Sequence, residues 1–158
     1  MSTTAQIAAW AIKNKVPGWL GVFSADRLPT TVPLKPWSLV VNYQGHTEPG
    51  DHWVGAFGMS NRAYWFSSYG LPPDHPTDEL LGDTTYFKAW LNKVAPKGWK
   101  YNHIGVQSFS SESDTCGQYS VYACKVRGGP LETPDAWSWI STNKLLNDRR
   151  IKQIVHFK

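Results

Sequence analysis

Residues 52–70 read HWVGAFGMSNRAYWFSSYG. The aromatic and β-branched residues of this stretch predict a strand over His52–Gly58 and a returning strand over Ala63–Phe66. Asn61-Arg62 between them fits the tip of a hairpin. The run Trp37–Tyr43 just upstream has the same character and predicts a neighbouring strand. Together the three segments predict an antiparallel meander at the centre of a sheet.

Helical patterns lie on both sides of this meander. Thr3–Lys15 and Thr84–Val94 carry apolar residues at helical spacing, and each pattern ends at a proline. Cys116–Val126 and Pro134–Lys158 predict two more helices, and Tyr101–Val106 predicts one more strand. With no repeat and no linker, we expect residues 1–158 to form a single domain of the α+β class. Its central, mostly antiparallel sheet would be packed by helices.

The charge of the chain is mildly basic, at +4 with a pI near 9.1, which favours an acidic partner. Basic residues concentrate in Lys93–Lys100 and Lys144–Lys158 but do not form the dense blocks of a dedicated nucleic-acid binder. A solvated helix face is the simpler explanation for such runs. Weak nucleic-acid binding stays open as an alternative.

The two cysteines and the absence of targeting signals predict an intracellular, reducing location. No apolar run approaches the roughly 20 residues of a membrane span, and Met1–Gln6 does not resemble a secretory signal, so no membrane partner is expected. Cys116 and Cys124 lie about 12 Å apart if both are on one helix, too far for a disulfide. Two cysteines without ligand spacing exclude a zinc cluster built from thiolates, and we expect neither metal nor cofactor.

Cys116 is the candidate nucleophile. It stands at the start of a predicted helix with Asp114 or Thr115 as the cap, where the helix dipole lowers the pKa of a thiol. The polar loop before it and Gly117 after it predict that the thiol is exposed and that a substrate backbone can approach. The alternative is a small buried cysteine, which is our interpretation of Cys124 within the same helix.

A thiolate needs a base and a group that stabilises the oxyanion. His52 is modestly favoured over the other four histidines because it begins a strand directly after a flexible loop, and Trp53 could shield its ring. Gln107, upstream of Cys116, could donate its amide to an oxyanion. Taken alone, a glutamine at the surface is the simpler reading of Gln107.

The ordered set His52-Trp53, Phe66–Gly70, Gln107 and Cys116-Gly117 resembles the adenovirus protease (adenain) family, in the clan of the SUMO-specific proteases. The resemblance implies a papain-like catalytic core in which the histidine strand precedes the cysteine helix. It also implies a viral thiol protease, expected to be monomeric, in the host nucleus or the virion. Its substrates would be viral structural polypeptides, cut at Gly-rich sites during virion maturation, with Trp53 and Gly117 at the substrate.

Two departures from the family pattern bear on the site. Ser67 stands where the family has Asp or Glu, so we expect only a weak orienter of the imidazole there. The gap between Gln107 and Cys116 is two residues longer than in adenain, which an insertion in Ser108–Ser113 would absorb. If Gln107 were displaced instead, Ser110 or Ser111 could replace it.

Two other functions compete with the viral endopeptidase. One is an isopeptidase of the deubiquitinase or deSUMOylase type, whose substrates end in Gly-Gly. The other is a catalytically impaired binding module that keeps the protease fold, which the missing acid at Ser67 supports.

Overall fold

The structure is a computed structural model that describes residues 3–42, 52–73, 85–108 and 114–158. Along these residues, four strands lie between the first two helices and two helices follow the last strand, which confirms the predicted α+β class. The strands are β1 (Trp19–Ser24), β2 (Trp37–Asn42), β3 (Trp53–Met59), β4 (Arg62–Phe66) and β5 (Trp99–Tyr101). The helices are α1 (Thr4–Lys13), α2 (Thr85–Val94), α3 (Cys116–Val126) and α4 (Lys144–Ile154), with a short 3-10 helix at Ala25–Arg27.

The five strands form one sheet in the order β1-β2-β3-β4-β5. The central strands β2, β3 and β4 are antiparallel neighbours, so the predicted meander is confirmed. Both edge pairings, β1 with β2 and β4 with β5, are parallel, which makes the sheet mixed. The hairpin tip lies at Ser60-Asn61, which have positive φ, and Arg62 pairs with Met59. The predicted tip was therefore one residue too late, because the turn requires the left-handed conformation that Asn tolerates.

The sheet is covered on both faces, which is why its central strands are almost continuously apolar. Alternate residues of each strand point to opposite faces and build two separate cores. One core holds Val40, Phe57 and Phe66 against residues of α1, α3 and α4. The other holds Leu39, Val54 and Trp65 against α2. The molecule is a three-layer arrangement with α3 packed on the centre of the sheet.

Helix α3 approaches β3 unusually closely at Gly55. A β-carbon at this position would lie 2.7 Å from the backbone oxygen of Ser120, so only glycine permits the contact. The neighbouring Cys124 thiol would lie 3.3 Å from the same β-carbon. The glycine therefore fixes how near the helix that begins at Cys116 comes to the strand that follows His52.

The predicted strand Tyr101–Val106 is wrong in its bounds, since β5 ends at Tyr101. The Asn102 side chain replaces the strand ladder at this point: its oxygen accepts from the Ser67 N–H at 2.9 Å, and its NH₂ donates to the Ser67 carbonyl at 2.6 Å. The chain then returns to the sheet side as Val106 N–H donates to the Ser68 carbonyl at 2.8 Å.

The predicted helix Pro134–Lys158 is also too long. Residues 134–140 form successive turns in which Trp137 N–H donates to the Pro134 carbonyl and Ile140 N–H to that of Trp137. The indole of Trp137 donates to the Gly128 carbonyl at 2.9 Å and stacks on Trp139, so aromatic packing dominates over helix formation here. Helix α4 starts only after Asn143, whose side chain caps it.

Among the residues that the structure describes, no helix is long and apolar enough to cross a bilayer. Within the same residues, no group of three His, Cys, Asp or Glu side chains is arranged to hold a metal ion.

Candidate active site

Cys116 is the first residue of α3, as predicted, but its surroundings differ from the prediction. The residue is 6% exposed, so the expected exposure of the thiol is wrong. Thr115 is the N-cap residue, but its hydroxyl donates to Asp148 at 3.2 Å and accepts no hydrogen bond from the N–H groups of the first turn. The predicted side-chain cap by Asp114 or Thr115 is therefore wrong as well: Asp114 instead pairs with Lys152 at 3.1 Å.

Ser120 links the first turn of α3 to the start of β3. Its hydroxyl oxygen lies 2.6 Å from the carbonyl oxygen of Cys116 and 3.0 Å from that of Trp53, and its proton serves these two acceptors. Trp53 is the residue directly after His52. One buried side chain thus ties the first residue of α3 to the first residue of β3.

His52 is half-buried immediately before β3. Its ring stacks on Tyr69 with the ring centroids 5.2 Å apart and the planes 18° from parallel, which holds the imidazole in one orientation. Desolvation by burial lowers the pKa of His52 to about 4. The imidazole is therefore neutral near pH 7 and able to accept a proton from a thiol.

This lowered pKa predicts the pH dependence of activity and of stability. Since His52 remains a neutral base well below 6.5, we expect the acid limb of the kcat/KM profile to lie below pH 6. Because the pKa of His52 is lower in the folded than in the unfolded chain, the unfolded chain takes up the proton at a higher pH as the solution is acidified. Stability should therefore fall as the pH drops from about 6.5 towards about 4. Peptide kinetics and urea unfolding at several pH values measure the two effects.

His52→Asn is expected to remove this pH-dependent loss of stability, whereas His156→Asn, at an exposed histidine, leaves it in place. An acid limb at or above pH 6.5 would contradict a base that is neutral through burial.

Gln107 is fully buried, so the reading of it as a surface glutamine is wrong. Its side-chain oxygen accepts a hydrogen bond from the Ser68 hydroxyl, and its backbone N–H donates to the Ser68 carbonyl at 3.0 Å. Because Ser68 takes the amide oxygen, the NH₂ group points away from Ser68. The NH₂ group is the part of the side chain that would donate to an oxyanion, and its direction towards one stays a prediction.

Ser67, at the position of the family's acid, is buried in the turn that follows β4. Its hydroxyl accepts from the Tyr69 N–H at 3.3 Å, and its carbonyl accepts from the Gly70 N–H at 2.9 Å. Ser67 thereby shapes the turn that presents the Tyr69 ring to His52. Its predicted role as a direct partner of the imidazole stays a prediction.

The two predicted substrate-binding residues are both buried. Trp53 is 3% exposed and belongs to the core under α3, and Gly117 lies in the first turn of that helix. Their contact with a substrate stays a prediction.

Cys124 is a structural residue, as interpreted from its place within the helix. It is fully buried, and its thiol contacts the carbonyl oxygens of Leu39 at 3.4 Å and Ala56 at 3.9 Å. Burial raises the pKa of Cys124 to about 12, which keeps the thiol protonated and unreactive. Both cysteines are free thiols.

Several residues that build the site were missed from the sequence. Ser68 binds the Gln107 amide, and Tyr69 stacks on the His52 ring. Asn102 binds the backbone of Ser67. Ser68 and Tyr69 belong to the Phe66–Gly70 motif but were given no role, and Asn102 carried no signal, because these roles depend on how the chain returns to the sheet after β5. Residues 43–51 and 109–113, including Ser110 and Ser111, lie outside the described residues.

A surface groove of about 250 Å³ lies elsewhere, between α1 and the C-terminal residues. It is lined by Trp10, Ile154 and Phe157 with Lys13, His156 and Lys158 around them, and none of the candidate catalytic residues contributes to it.

No protein-family model matches the chain, and no curated protein matches it either. Among solved structures, the ASFV pS273R protease is similar with a TM-score of 0.51 at 19% sequence identity, covering 94% of this chain. The chain spans 65% of the length of that protease, slightly less than two thirds. A weaker likeness, TM-score 0.47 at 14% identity, is to the central domain of an uncharacterized Legionella pneumophila protein, Lpg1148, with 98% of each chain covered. At 19% identity the likeness to the ASFV protease concerns the fold alone, and that fold is consistent with a papain-like core.

Proposed function

We propose that the chain is a viral cysteine endopeptidase with Cys116 as nucleophile, His52 as general base and Gln107 as oxyanion donor. The observation that carries the proposal is the buried Gln107, whose amide oxygen is held by Ser68 in the turn that also presents Tyr69 to the His52 ring. A buried amide needs a hydrogen-bond partner in any role, so the support comes from where that partner lies. Here the amide orientation and the imidazole orientation are set by the same turn.

The reaction follows from these groups. Neutral His52 takes the thiol proton of Cys116 as the sulfur attacks the substrate carbonyl carbon and forms the C–S bond. The carbonyl oxygen becomes an oxyanion, which the Gln107 NH₂ and the Cys116 backbone N–H stabilise. The protonated His52 then donates to the leaving amine as the C–N bond breaks. Water, deprotonated by His52, hydrolyses the thioester and restores the thiol.

The substrate class rests on the resemblance to adenain. We propose that the natural substrates are viral structural polypeptides cut at Gly-rich sites during virion maturation, in the host nucleus or the virion. Glycine is chemically apt, because Cys116 is 6% exposed and a small residue would reach it most readily. The monomeric state and weak nucleic-acid binding belong to the same proposal.

The test compares two substrate types with the purified chain. Fluorogenic Gly-rich peptides should be cleaved, and conjugates of a fluorophore with ubiquitin-like modifiers should be cleaved far more slowly. Cleavage of the conjugates alone would make the chain an isopeptidase. A chain that cleaves neither, and whose Cys116 ignores a glycine vinyl sulfone, would be the impaired binding module.

A further inference from the structure

A buried carboxylate on α4 contacts both ends of the segment that joins the candidate oxyanion donor to the nucleophile. Asp148 is 8% exposed. Its Oδ2 accepts from the backbone N–H of Ser108 at 3.4 Å, and its Oδ1 accepts from the Thr115 hydroxyl at 3.2 Å. Ser108 directly follows Gln107, and Thr115 directly precedes Cys116. One side chain therefore bridges the two halves of the proposed oxyanion hole.

Neighbouring side chains reinforce this bridge. The Tyr119 hydroxyl, on the turn of α3 after Cys116, donates to Asp148 Oδ1 at 2.8 Å. Asn147, the residue beside Asp148, donates to the Val106 carbonyl at 3.2 Å and so holds the residue just before Gln107. Burial raises the pKa of the Tyr119 hydroxyl, and the Asp148 charge raises it further, so the phenol stays a neutral donor. Hydrogen bonds to helix α4 thus hold both the residues that flank Gln107 and the first turn of α3, which begins at Cys116.

A buried carboxylate is costly to desolvate, and neutral residues of similar size would fill this space at lower cost. What a carboxylate adds is two acceptor oxygens in a fixed fork, which bind two chain segments at once. This arrangement also suits the long connection between Gln107 and Cys116. Because Asp148 holds the chain on both sides of residues 109–113, the length of that segment should have little influence on the positions of the proposed catalytic groups.

We propose that Asp148 is a positioning residue, which fixes the separation between the Gln107 amide and Cys116 and thereby forms the oxyanion hole. This inference rests on the proposed hydrolase function. A displacement of about 1 Å at such a site costs on the order of 10²-fold in rate. The effect should therefore fall on amide hydrolysis and spare reactions that form no oxyanion.

Asp148→Asn tests this with the smallest change of shape. An asparagine can keep its oxygen towards Thr115 and Tyr119, but its NH₂ then faces the Ser108 N–H, and two donors repel each other. We expect kcat on a Gly-rich peptide to fall about 10- to 100-fold with KM changed less than about threefold. Alkylation of Cys116 by iodoacetamide, which forms no oxyanion, should stay within about twofold of wild type. Asp135→Asn, at an exposed aspartate, is the matched control and should leave both rates unchanged.

The outcomes separate the two claims. A wild-type chain that cleaves no peptide refutes the proposed function itself. An active wild type with an unchanged Asp148→Asn variant, or a variant that loses hydrolysis and alkylation in parallel while folded, refutes the positioning role. If Asp148→Asn does not fold by circular dichroism, Thr115→Val decides. It removes one donor to the carboxylate, and a two- to fivefold loss of kcat with unchanged alkylation supports the role, whereas an unchanged kcat refutes it.

Discussion

Replacing Cys116 with alanine is expected to abolish peptide cleavage, with a loss of at least about 10⁴-fold in kcat. Removal of the nucleophile eliminates the acyl-enzyme route, and loss of a comparable catalytic group elsewhere costs about 10⁶-fold. The substitution removes one sulfur atom from a buried position, so the fold should survive it. Initial rates on a Gly-rich fluorogenic peptide measure the loss, and circular dichroism verifies that the variant is folded.

Cys124→Ala is the matched control, because it removes the other thiol of the same helix. That thiol is buried against the Leu39 and Ala56 carbonyl oxygens and has a raised pKa, so it should contribute nothing to catalysis. We expect the rate to stay within about threefold of wild type and the stability to fall by about 1 kcal/mol. Activity that survives Cys116→Ala but is lost in Cys124→Ala would show that Cys124, and not Cys116, is the nucleophile.

Gln107→Glu is the second substitution with a large expected effect. The carboxylate keeps the shape of the amide, and one of its oxygens can still accept from the Ser68 hydroxyl. The other oxygen replaces the NH₂ and repels a developing oxyanion. We expect kcat to fall at least 10²- to 10³-fold with little change in KM, the cost of losing one oxyanion donor. Steady-state kinetics measure both constants.

Gln153→Glu makes the same chemical change at an exposed residue of α4 and should leave kcat within twofold. A Gln107→Glu variant with wild-type kcat would show that the oxyanion is stabilised elsewhere. The hydrogen bond between Ser68 and Gln107 would then serve the packing of the core and not catalysis.

The elements that local sequence specifies were predicted well. Helix α3 has the predicted bounds, Cys116–Val126, because a polar loop precedes its apolar pattern and glycines follow it. The meander was found because strand periodicity and turn chemistry are local signals. The two parallel edge pairings were not found, since a parallel pair is joined through a distant connection that leaves no local mark.

The failures share a physical cause in long-range side-chain contacts. Asn102 ends β5 early by binding the backbone of Ser67, 35 residues away in sequence. Trp137 keeps residues 134–140 from forming a regular helix by binding Gly128 and stacking on Trp139. The burial of Cys116 and the bridge made by Asp148 depend likewise on how α4 returns to α3, which no pattern within α3 records.

Mass-spectrometric mapping of a glycine vinyl sulfone adduct tests directly whether Cys116 and His52 form a catalytic pair. The probe reacts fastest with a thiol that a base activates, and proteolytic digestion shows which cysteine carries it. We expect a single adduct on Cys116 in the wild type and in Cys124→Ala. We also expect that adduct to be lost in His52→Asn at equal folded fraction. An adduct on Cys124, or labelling of Cys116 that is unchanged by His52→Asn, would contradict the assignment of Cys116 and His52 as a catalytic pair.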